Sequence, residues 1–447
     1  MPRKRGNMNT TFGKKNWYVL LLFGLIGQIA WSVENMYFNL FVYDTIQPNL
    51  SAVTIMVQAS GIAATLVTLV AGTLSDKVGN RRSFISWGYI IWGVTVALFG
   101  FMSPELTEAI LGVEYESAVK ITLVAVIVGD CVMTLFGSTA NDAAFNAWIT
   151  DNTKPEYRGK VESVISILPL AATLIVAGGF GILVEALGYS TIFLILGIVI
   201  SICGVVGIYM IKDADHLEKS GTLADMLYGF KPSSVKSNKS FYVALLIVGV
   251  YGIACQVYMP YLIIYMREFL KFSVLEYSAV FAVAIIFGAV INIFAGKLAD
   301  KMSKASLMYV AAGVFAAGLF AMYLSNGMGH VATLLVFGVS SFIMLTGFIF
   351  ISALSGAIIR DNTPESETGK LQGVRMIFSV LIPMIVGPSI GNAINKAEGI
   401  VLENAGADAM TTSYIPAPGI FLAASLITLL LFALIPLLQK TEKQKAN

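Results

Sequence analysis

The sequence predicts an all-α integral membrane protein in which twelve transmembrane helices form two pseudo-symmetric bundles of six. Three observations predict this fold class: the composition, a series of long apolar stretches, and an internal repeat. Hydrophobic residues make up 57% of the chain and charged residues only 13%, against roughly 25% charged residues in soluble domains. Such a chain has too few polar side chains to cover a water-facing surface, so lipid must be much of its solvent.

Twelve apolar stretches follow one another along the chain. A helix needs about 20 mostly apolar residues to cross about 30 Å of hydrocarbon. The stretches of this kind are Trp17–Val42, Ala52–Leu74, Phe84–Met102, Ala118–Thr150, Val161–Val184, Thr191–Ile211, Phe241–Met266, Ser278–Ala299, Ser306–Leu324, Val331–Ile359, Val374–Ala393 and Ile415–Leu438. The short alternating segments of a transmembrane β-barrel are missing, so the pattern predicts helices.

The positions of lysine and arginine predict the orientation of the chain in the cell membrane. If both termini are cytoplasmic, all but four of the 29 basic residues fall in cytoplasmic segments. The four exceptions are Lys120, Arg267, Lys271 and Lys396. Because cytoplasmic loops of membrane proteins carry an excess of basic residues, this arrangement predicts cytoplasmic termini and an even number of spans. The charge is sorted by membrane side and forms no nucleic-acid patch.

The two halves of the sequence repeat each other. One constant shift lays Tyr18 on Tyr242, Tyr37 on Tyr261, and Asp76 on Asp300. The repeat predicts an N-terminal bundle over residues 1–212, a cytoplasmic linker over 213–240, and a C-terminal bundle over 241–447. Two parallel repeats of this kind can rock about a site held between them, as in membrane transporters. A duplicated scaffold with a static role is the alternative.

The loop between the second and third spans carries the strongest motif, Gly72-Thr-Leu-Ser-Asp-Lys-Val-Gly-Asn-Arg-Arg82. It resembles the signature of the major facilitator superfamily, in which aspartate and arginine belong to a charge network that closes the cytoplasmic side. The resemblance implies a cytoplasmic gate made of Gly72, Asp76, Gly79, Arg81, Arg82, Asp151, Arg158, Asp300 and Asp361. Simple positive-inside anchoring is the alternative for the arginines, although it leaves the aspartates unexplained.

Three shorter pieces resemble the glycoside–pentoside–hexuronide:cation symporters and the related sucrose carriers. They are Gly27-Gln-Ile-Ala-Trp-Ser-Val-Glu34, Gly79-Asn-Arg-Arg-Ser-Phe-Ile-Ser-Trp-Gly88, and Thr150-Asp151 followed by Arg158. This resemblance implies a sugar or glycoside as substrate, carried with a proton or sodium ion. Melibiose-type permeases place paired aspartates in the second span for sodium, whereas this second span offers only Gln58.

The first span carries a polar and aromatic stripe. Gln28, Trp31, Asn35 and Asn39 recur at helical spacing on an otherwise apolar helix. Because polar groups facing lipid would lack partners, the stripe is expected to face a central cavity. Amides bind hydroxyl groups and an indole covers C–H surface, so the stripe suits a polyhydroxylated ring. Hydrogen bonding between helices is the alternative.

Three acids inside the spans are candidates for coupling transport to a cation gradient. Each of Glu34, Asp130 and Asp142 costs about 2.5–3.5 kcal/mol at a helix centre and needs a partner or a function. Asp142 ranks first because Asn141 and Asn146 flank it; structural ion pairs are the alternative. Further residues that we predict to contact substrate are Gln58, Asn141, Asn146, Gln256, Tyr258, Tyr261, Asn292 and Arg375.

The sequence therefore predicts a secondary active transporter that moves a small polar solute by symport with a proton or other cation. A proton-coupled efflux antiporter for amphiphilic compounds is the first alternative, and a non-transporting membrane sensor is a remote one. No catalytic dyad, metal-ligand spacing or phosphate-binding glycine loop occurs in the sequence, so we predict neither enzymatic activity nor a cofactor or metal. We expect a monomer whose partners are the solute, the coupling cation and the bilayer.

Overall fold

The computed structural model describes residues 12–153, 157–213, 228–299, 303–363, 368–401 and 414–446. In the N-terminal half, seven helices run over Lys14–Ile46 (α1), Leu50–Val78 (α2), Arg81–Phe99 (α3), Pro104–Leu111 (α4), Tyr115–Asn152 (α5), Arg158–Ile175 (α6) and Gly181–Met210 (α7). The turn Val176–Phe180 is π-helical and joins α6 to α7.

A short helix over Pro232–Ser237 (α8) lies in the predicted linker and precedes the C-terminal half. The helices that follow run over Lys239–Phe269 (α9), Val274–Ala299 (α10), Lys304–Leu324 (α11), His330–Asn362 (α12), Thr368–Met376 (α13), Ile382–Glu398 (α14), Gly419–Leu429 (α15) and Leu431–Ala446 (α16). The π-helical turn Ile377–Leu381 joins α13 to α14.

Ten helical stretches within the described residues are long and apolar enough to cross a membrane, which confirms the predicted class of helical multi-pass membrane protein. One of these stretches, Ile167–Met210, has 44 residues and contains Gly188 at φ 77°, where two helices meet at a kink. Helix α10 adds a shorter apolar segment, Val274–Gly288. The count of twelve spans and the cytoplasmic position of the termini stay predictions.

The loop between α2 and α3 shows why the sequence turns there. Gly79 ends α2 in the left-handed conformation, φ 66°, which favours glycine, and its N–H donates to the Ser75 carbonyl at 3.0 Å. Asn80 then caps α3, because its Oδ1 accepts from the Ser83 N–H at 3.0 Å. The chain therefore reverses within two residues and brings the ends of α2 and α3 together.

The helices of the two halves pack in the same pairs. In the N-terminal half α3 packs on α7, α1 on α6, and α2 on α5; in the C-terminal half α11 packs on α15, α9 on α14, and α10 on α12. Gly93 of α3 lies against the backbone of Gly197 in α7, and this close approach leaves no room for a side chain at either position. Each half is therefore a tightly packed unit.

Several helix contacts join the halves among the described residues. Helix α2 packs on α14, and α10 packs on α6 and on the turn Val176–Phe180. Helix α1 starts at the end of the molecule that contains Arg81 and finishes at the end that contains Asp44; we call these the Arg81 end and the Asp44 end. The remaining space between the halves is a cavity lined by residues of both.

Candidate functional site

A cavity of about 380 Å³ lies between the two halves. Helices α1, α2, α5 and α6 form one wall, and helices α9, α10, α12 and α14 form the other. The polar residues of the first wall are Gln28, Trp31, Ser32, Glu34, Asn35, Asn39, Ser60, Asp130 and Thr173. The second wall contributes Gln256 and Tyr258 together with apolar side chains. The first wall thus holds the acids and most of the amides.

The predicted stripe of the first span lies on this wall, although the helix there is not regular. A π-helical turn over Glu34–Phe38 interrupts α1. Asn35 Nδ2 donates to the Trp31 carbonyl at 2.8 Å, and Asn39 Nδ2 donates to the Asn35 carbonyl at 3.1 Å. These bonds hold both amides while their oxygens stay available. Asn39 is 3% exposed, and its Oδ1 has no hydrogen-bond partner among the described residues.

Trp31 is fixed at the cavity wall by packing. Its ring lies 5.0 Å from that of Trp92, centroid to centroid, at an angle of 45° between the ring planes. A side chain at Gly137 would come within 2.8 Å of Trp92 and 3.0 Å of Trp31, so this glycine makes room for both indoles. The indole of Trp31 therefore presents a fixed aromatic surface to the cavity.

Glu34 and Asp130 form a carboxyl cluster with two hydroxyl groups. The Oε1 atom of Glu34 accepts from Ser60 Oγ at 3.0 Å and from Thr134 Oγ1 at 3.1 Å, and the two hydroxyls lie 2.9 Å apart. Asp130 lies next to Glu34 and Ser60 and is 2% exposed. Glu34 Oε2 and Asp130 Oδ1 have no hydrogen-bond partner in the described part of the chain.

Ser60 and Thr134 are not among the site residues that we predicted from the sequence. Serine and threonine are common inside membrane helices, where they usually bond to a backbone carbonyl. Thr134 lies one turn beyond Asp130 on α5, and this spacing is the one signal that could have identified it.

Asp142, Asn141 and Asn146 are not among the residues that line the cavity. The Asp142 carboxyl is close to Ser138 and Trp31 within a π-helical part of α5. Asn141 is buried between helices, where its Nδ2 donates to the Tyr89 hydroxyl at 3.1 Å. Asn146 Nδ2 donates to the Asp142 carbonyl at 3.0 Å. Asn141 and Asn146 therefore make contacts inside the N-terminal half.

The other residues predicted to contact substrate divide into two groups. Gln256 and Tyr258 line the cavity, and the Tyr258 hydroxyl bonds to Met344 Sδ at 3.4 Å. Gln58 instead donates to the Ile385 carbonyl at 2.9 Å and to Ser389 Oγ at 2.7 Å, across the two halves. Tyr261 is fully buried and bonds to Thr54 Oγ1 at 2.7 Å, also across the halves. Arg375 is exposed and is not among the residues that line the cavity.

Asp44 and Arg267 join the two halves at the Asp44 end, and sequence reasoning missed both. We call the contacts between the halves at this end the Asp44 seal. The Arg267 guanidinium donates to both carboxylate oxygens of Asp44, from Nη1 to Oδ2 at 2.6 Å. Tyr189 donates to Asp44 at 2.8 Å, and Glu268 accepts from Arg267 Nε at 3.0 Å. The available signal was that Arg267 is one of the few basic residues on the predicted outer side.

Further bonds between the halves surround this ion pair. Tyr43 donates to the Tyr414 carbonyl at 3.4 Å, and Asn392 Nδ2 donates to Ser51 Oγ at 3.3 Å. The Thr54–Tyr261 bond and the Gln58 bonds also join the halves on this side of the molecule. The bidentate pair is the charged centre of this seal.

At the Arg81 end the described contacts of the predicted gate lie within the N-terminal half. Arg81 Nε donates to Asp151 Oδ2 at 3.1 Å, and its Nη1 donates to Ser75 Oγ at 2.6 Å. Arg82 donates to the Ile208 carbonyl, and its backbone N–H donates to Asp213 at 2.9 Å. Four of the predicted gate residues lie in helices but outside the described side chains: Gly72, Asp76, Arg158 and Asp361. Asp300 lies wholly outside the described residues. The side chain of Asn292, which we predicted to contact substrate, also lies outside the described side chains.

Within the described ranges, no group of three or more His, Cys, Asp or Glu side chains is placed to hold a metal ion. The three cysteines, Cys131, Cys203 and Cys255, are free thiols. The chemistry available at the cavity is therefore hydrogen bonding, aromatic contact and the carboxyl groups of Glu34 and Asp130.

One comparison with known proteins shows a family, and another shows a shared fold. The family model described as Major Facilitator Superfamily matches residues 20–388. No curated protein sequence matches the chain. A crystal structure of the nucleoside transporter NupG is 12% identical, covers 95% of this chain and 98% of its own, and has a TM-score of 0.66.

Two further solved structures are similar over almost the whole chain. An inward-facing, unoccupied bacterial homolog of the human lysosomal transporter Spinster has a TM-score of 0.65 at 15% identity, covering 96% of this chain and 98% of its own. An outward-facing bacterial homologue of the iron transporter ferroportin with soaked iron has a TM-score of 0.64 at 15% identity, covering 94% and 98%. At these identities the likenesses show a shared fold.

Proposed function

The chain belongs to the Major Facilitator Superfamily, and we propose that it moves a small polar solute, a sugar or glycoside, by symport with a proton or another cation. The observation that carries this proposal is the wall of the central cavity. It combines the amides of Gln28, Asn35 and Asn39 with the Trp31 indole and two carboxyl groups. The wall faces a space between two halves that pack alike, where a rocking transporter holds its solute.

The polar wall suits a hydroxylated ring. Asn39 Oδ1 is a buried acceptor without a partner in the described protein, and a buried polar group without a partner costs about 1–3 kcal/mol. A solute hydroxyl that donates to it removes this cost. The exposed amide of Asn35 and the indole of Trp31 can bind a second hydroxyl and the C–H surface of the same ring.

Glu34 and Asp130 are the best placed groups to couple transport to a cation. Both line the cavity, and each has one carboxyl oxygen without a partner among the described residues. Ser60 and Thr134 donate to the other oxygen of Glu34, so a proton or sodium ion that arrives from the cavity meets oxygens already held in place. Asp142, first in the ranking by sequence, takes third place because it does not line the cavity.

Alternating access requires that the two ends open in turn. Twelve spans fit the helices if the kink at Gly188 divides one long stretch into two and α10 forms another. We assign the Asp44 end to the outside and the Arg81 end, with both termini, to the cytoplasm, following the distribution of basic residues. The predicted aspartates and arginines at the Arg81 end then close the cytoplasmic side when the Asp44 seal opens.

Transport into proteoliposomes tests the proposal. We expect labelled sugars or glycosides to accumulate when a proton or sodium gradient is imposed, and the gradient that works identifies the coupling ion. A broad panel without any gradient-dependent uptake would rule out the proposed function.

The acids provide the matched variants for this experiment. We expect Asp130→Asn to abolish accumulation while exchange of labelled for unlabelled solute persists, because exchange needs no net cation movement. Asp142→Asn, on the same helix, is expected to have a smaller effect. Full accumulation by Asp130→Asn with loss in Asp142→Asn would return the coupling role to Asp142.

A proton-coupled antiporter that exports amphiphilic compounds is the second candidate. The apolar wall of the C-terminal half favours it, because amphiphiles bind well to such surfaces. Growth of a susceptible bacterial strain that expresses the protein, measured across a panel of drugs, separates the two candidates. Increased resistance that disappears in Asp130→Asn would favour export.

A further inference from the structure

The two walls of the cavity differ in chemistry. The wall from the N-terminal half carries the amides, hydroxyls and carboxyls described above. The wall from the C-terminal half is formed mainly by methionine, leucine, isoleucine and phenylalanine side chains, among them Met259, Phe281, Met344, Leu345, Phe348 and Met384. Its tyrosine, Tyr258, bonds to Met344 Sδ within the same half. The polar groups offered to a solute therefore lie almost entirely on one side.

A free sugar would find hydrogen-bond partners on the N-terminal wall but few on the C-terminal wall. Hydroxyl groups surround a pyranose ring, so the hydroxyls that face the C-terminal wall would leave water without gaining a hydrogen bond. Burying a polar group in this way costs free energy. The described part of that wall has two polar side chains, Gln256 and Tyr258. Tyr258 already bonds to Met344 of the same half, so Gln256 is the side chain that remains to bind a solute hydroxyl.

We propose that the C-terminal wall is an apolar subsite, and that the solute carries an alkyl or aryl group beside its polar head. This inference rests on the proposed function, which places a sugar ring on the N-terminal wall. The cavity of about 380 Å³ falls in the range of roughly 300–1,000 Å³ that holds drug-sized ligands. Methionines suit such a subsite because their flexible side chains adapt to differently shaped apolar groups.

The occupant of the apolar wall is part of the transported solute and not a separate lipid chain. Both walls face the same space, so a solute on one wall extends to the other. A lipid chain alone would leave Glu34 Oε2, Asn39 Oδ1 and Asp130 Oδ1 without partners at the opposite wall. One amphiphilic molecule satisfies both walls together.

Binding of matched glycosides tests the subsite. The probes are glucose and galactose with their methyl, butyl and hexyl β-glycosides, measured by isothermal titration calorimetry. The full-length protein is held in nanodiscs free of alkyl glycoside detergent, because such a detergent would itself be a ligand. We expect the affinity to rise about fourfold for each added methylene, the factor that follows from burial of one methylene group.

Two variants and a control separate the subsite from partition of the probes into the bilayer. We expect Met344→Gln and Leu345→Gln to flatten the dependence on chain length while binding of the methyl glycoside changes little. Met328→Gln makes the same chemical change at a position that is 46% exposed and away from the cavity, and it is expected to keep the wild-type dependence. An equal dependence in all four proteins would overturn the inference.

The other outcomes distinguish this inference from the proposed function. Free sugars that bind as tightly as hexyl glycosides would remove the apolar subsite and leave sugar transport intact. If no glycoside binds but alkyltrimethylammonium ions do, with affinity that rises with chain length, the subsite stands and the sugar assignment fails. Binding by neither series would overturn both.

Discussion

Two arginine–aspartate pairs lie at opposite ends of the molecule. One connects helices of the same half, and the other connects the two halves. Arg81 and Asp151 both belong to the N-terminal half, and their contact ties the start of α3 to the end of α5. Arg267 and Asp44 belong to different halves, and their contact ties the end of α9 to the end of α1. The chemistry is the same in both pairs, and the position of the partners differs.

Because of this difference, the two pairs are expected to affect different properties: the free energy of unfolding in one case and the ratio of conformations in the other. In the proposed rocking motion, helices within one half move together, so a bond between them is present whichever end of the cavity is open. A bond between the halves then exists only while its own end is closed, so it stabilises one conformation relative to the other. The first kind of bond is therefore expected to affect unfolding, and the second kind to affect which end is open.

Replacement of the arginine within one half is expected to have the largest effect. Arg81→Gln leaves the Asp151 carboxylate without its partner in a place where the arginine side chain is 7% exposed. We expect the free energy of unfolding to fall by about 3 kcal/mol. Denaturant titration of the purified protein measures this loss. Lys120→Gln, which breaks a pair that is 72% and 59% exposed, is the control and is expected to change stability by less than about 1 kcal/mol.

Arg81→Gln also tests whether Arg81 acts in a gate, as the family resemblance implies. Spin labels at Glu108→Cys and Met328→Cys, one in each half at the Asp44 end, report the distance between the halves when the free cysteines are replaced by alanine. If Arg81→Gln changes this distance distribution as well as stability, Arg81 acts in the gate and not only inside its half.

Replacement of the arginine between the halves is expected to favour an open Asp44 end. Arg267 and Asp44 are only partly exposed, 30% and 18%, so their charged hydrogen bonds retain much of their strength. We expect Arg267→Gln to destabilise the sealed conformation by about 2 kcal/mol, roughly thirtyfold in the ratio of the two conformations. The spin-label pair at Glu108 and Met328 measures this ratio.

A double-mutant cycle checks that the effect belongs to the pair. Asp44→Asn, Arg267→Gln and the double variant are expected to shift the distance distribution by similar amounts, since each removes the same contact. Additive shifts would contradict the assignment. So would a large loss of stability without any change in distance.

The contrast between contacts within one half and contacts between the halves also explains what could be predicted from the sequence. Apolar length identifies a membrane helix locally, so the helical class and the loop at Gly79 followed from the residues alone. The members of the stripe on α1 share one helix, so a local pattern is enough to group them, and all four line the cavity. The Asp44–Arg267 contact joins residues far apart in the chain, and no local pattern specifies which helix ends meet across the halves.

The same limit applies to several polar residues that we predicted to contact substrate and that bond to other helices in the structure. Asn141, Gln58 and Tyr261 are polar residues inside spans, and their types fit both a solute contact and a contact between helices. Only the packing of helices decides between the two. The π-helical turn at Glu34 adds to the difficulty, because it changes the phase of α1 by about one residue and no residue type in the sequence marks it.

Gln58 offers a test of this distinction with a moderate expected effect. Its amide donates two hydrogen bonds across the halves, so Gln58→Leu is expected to weaken the sealed conformation by about 1.5 kcal/mol, roughly tenfold. Asn35→Leu, at the cavity wall, is expected to weaken solute binding without changing the distance between the spin labels. If Gln58→Leu abolishes binding and leaves the distance unchanged, Gln58 contacts the solute as its residue type first indicated.

The smallest expected effect comes from a single hydroxyl. Tyr261→Phe keeps the buried ring and removes two bonds, one to the Pro388 carbonyl within the C-terminal half and one to Thr54 across the halves. The loss of the second bond is expected to cost the sealed conformation about 1 kcal/mol, roughly fivefold in the ratio of conformations. Tyr251→Phe is its match inside the C-terminal half, where the hydroxyl donates to the Phe348 carbonyl at 3.0 Å. We expect Tyr251→Phe to lower stability by a similar amount and to leave the distance distribution unchanged. Equal shifts in the two variants would mean that the halves do not move as rigid units, and the distinction between bonds within and between the halves would fail.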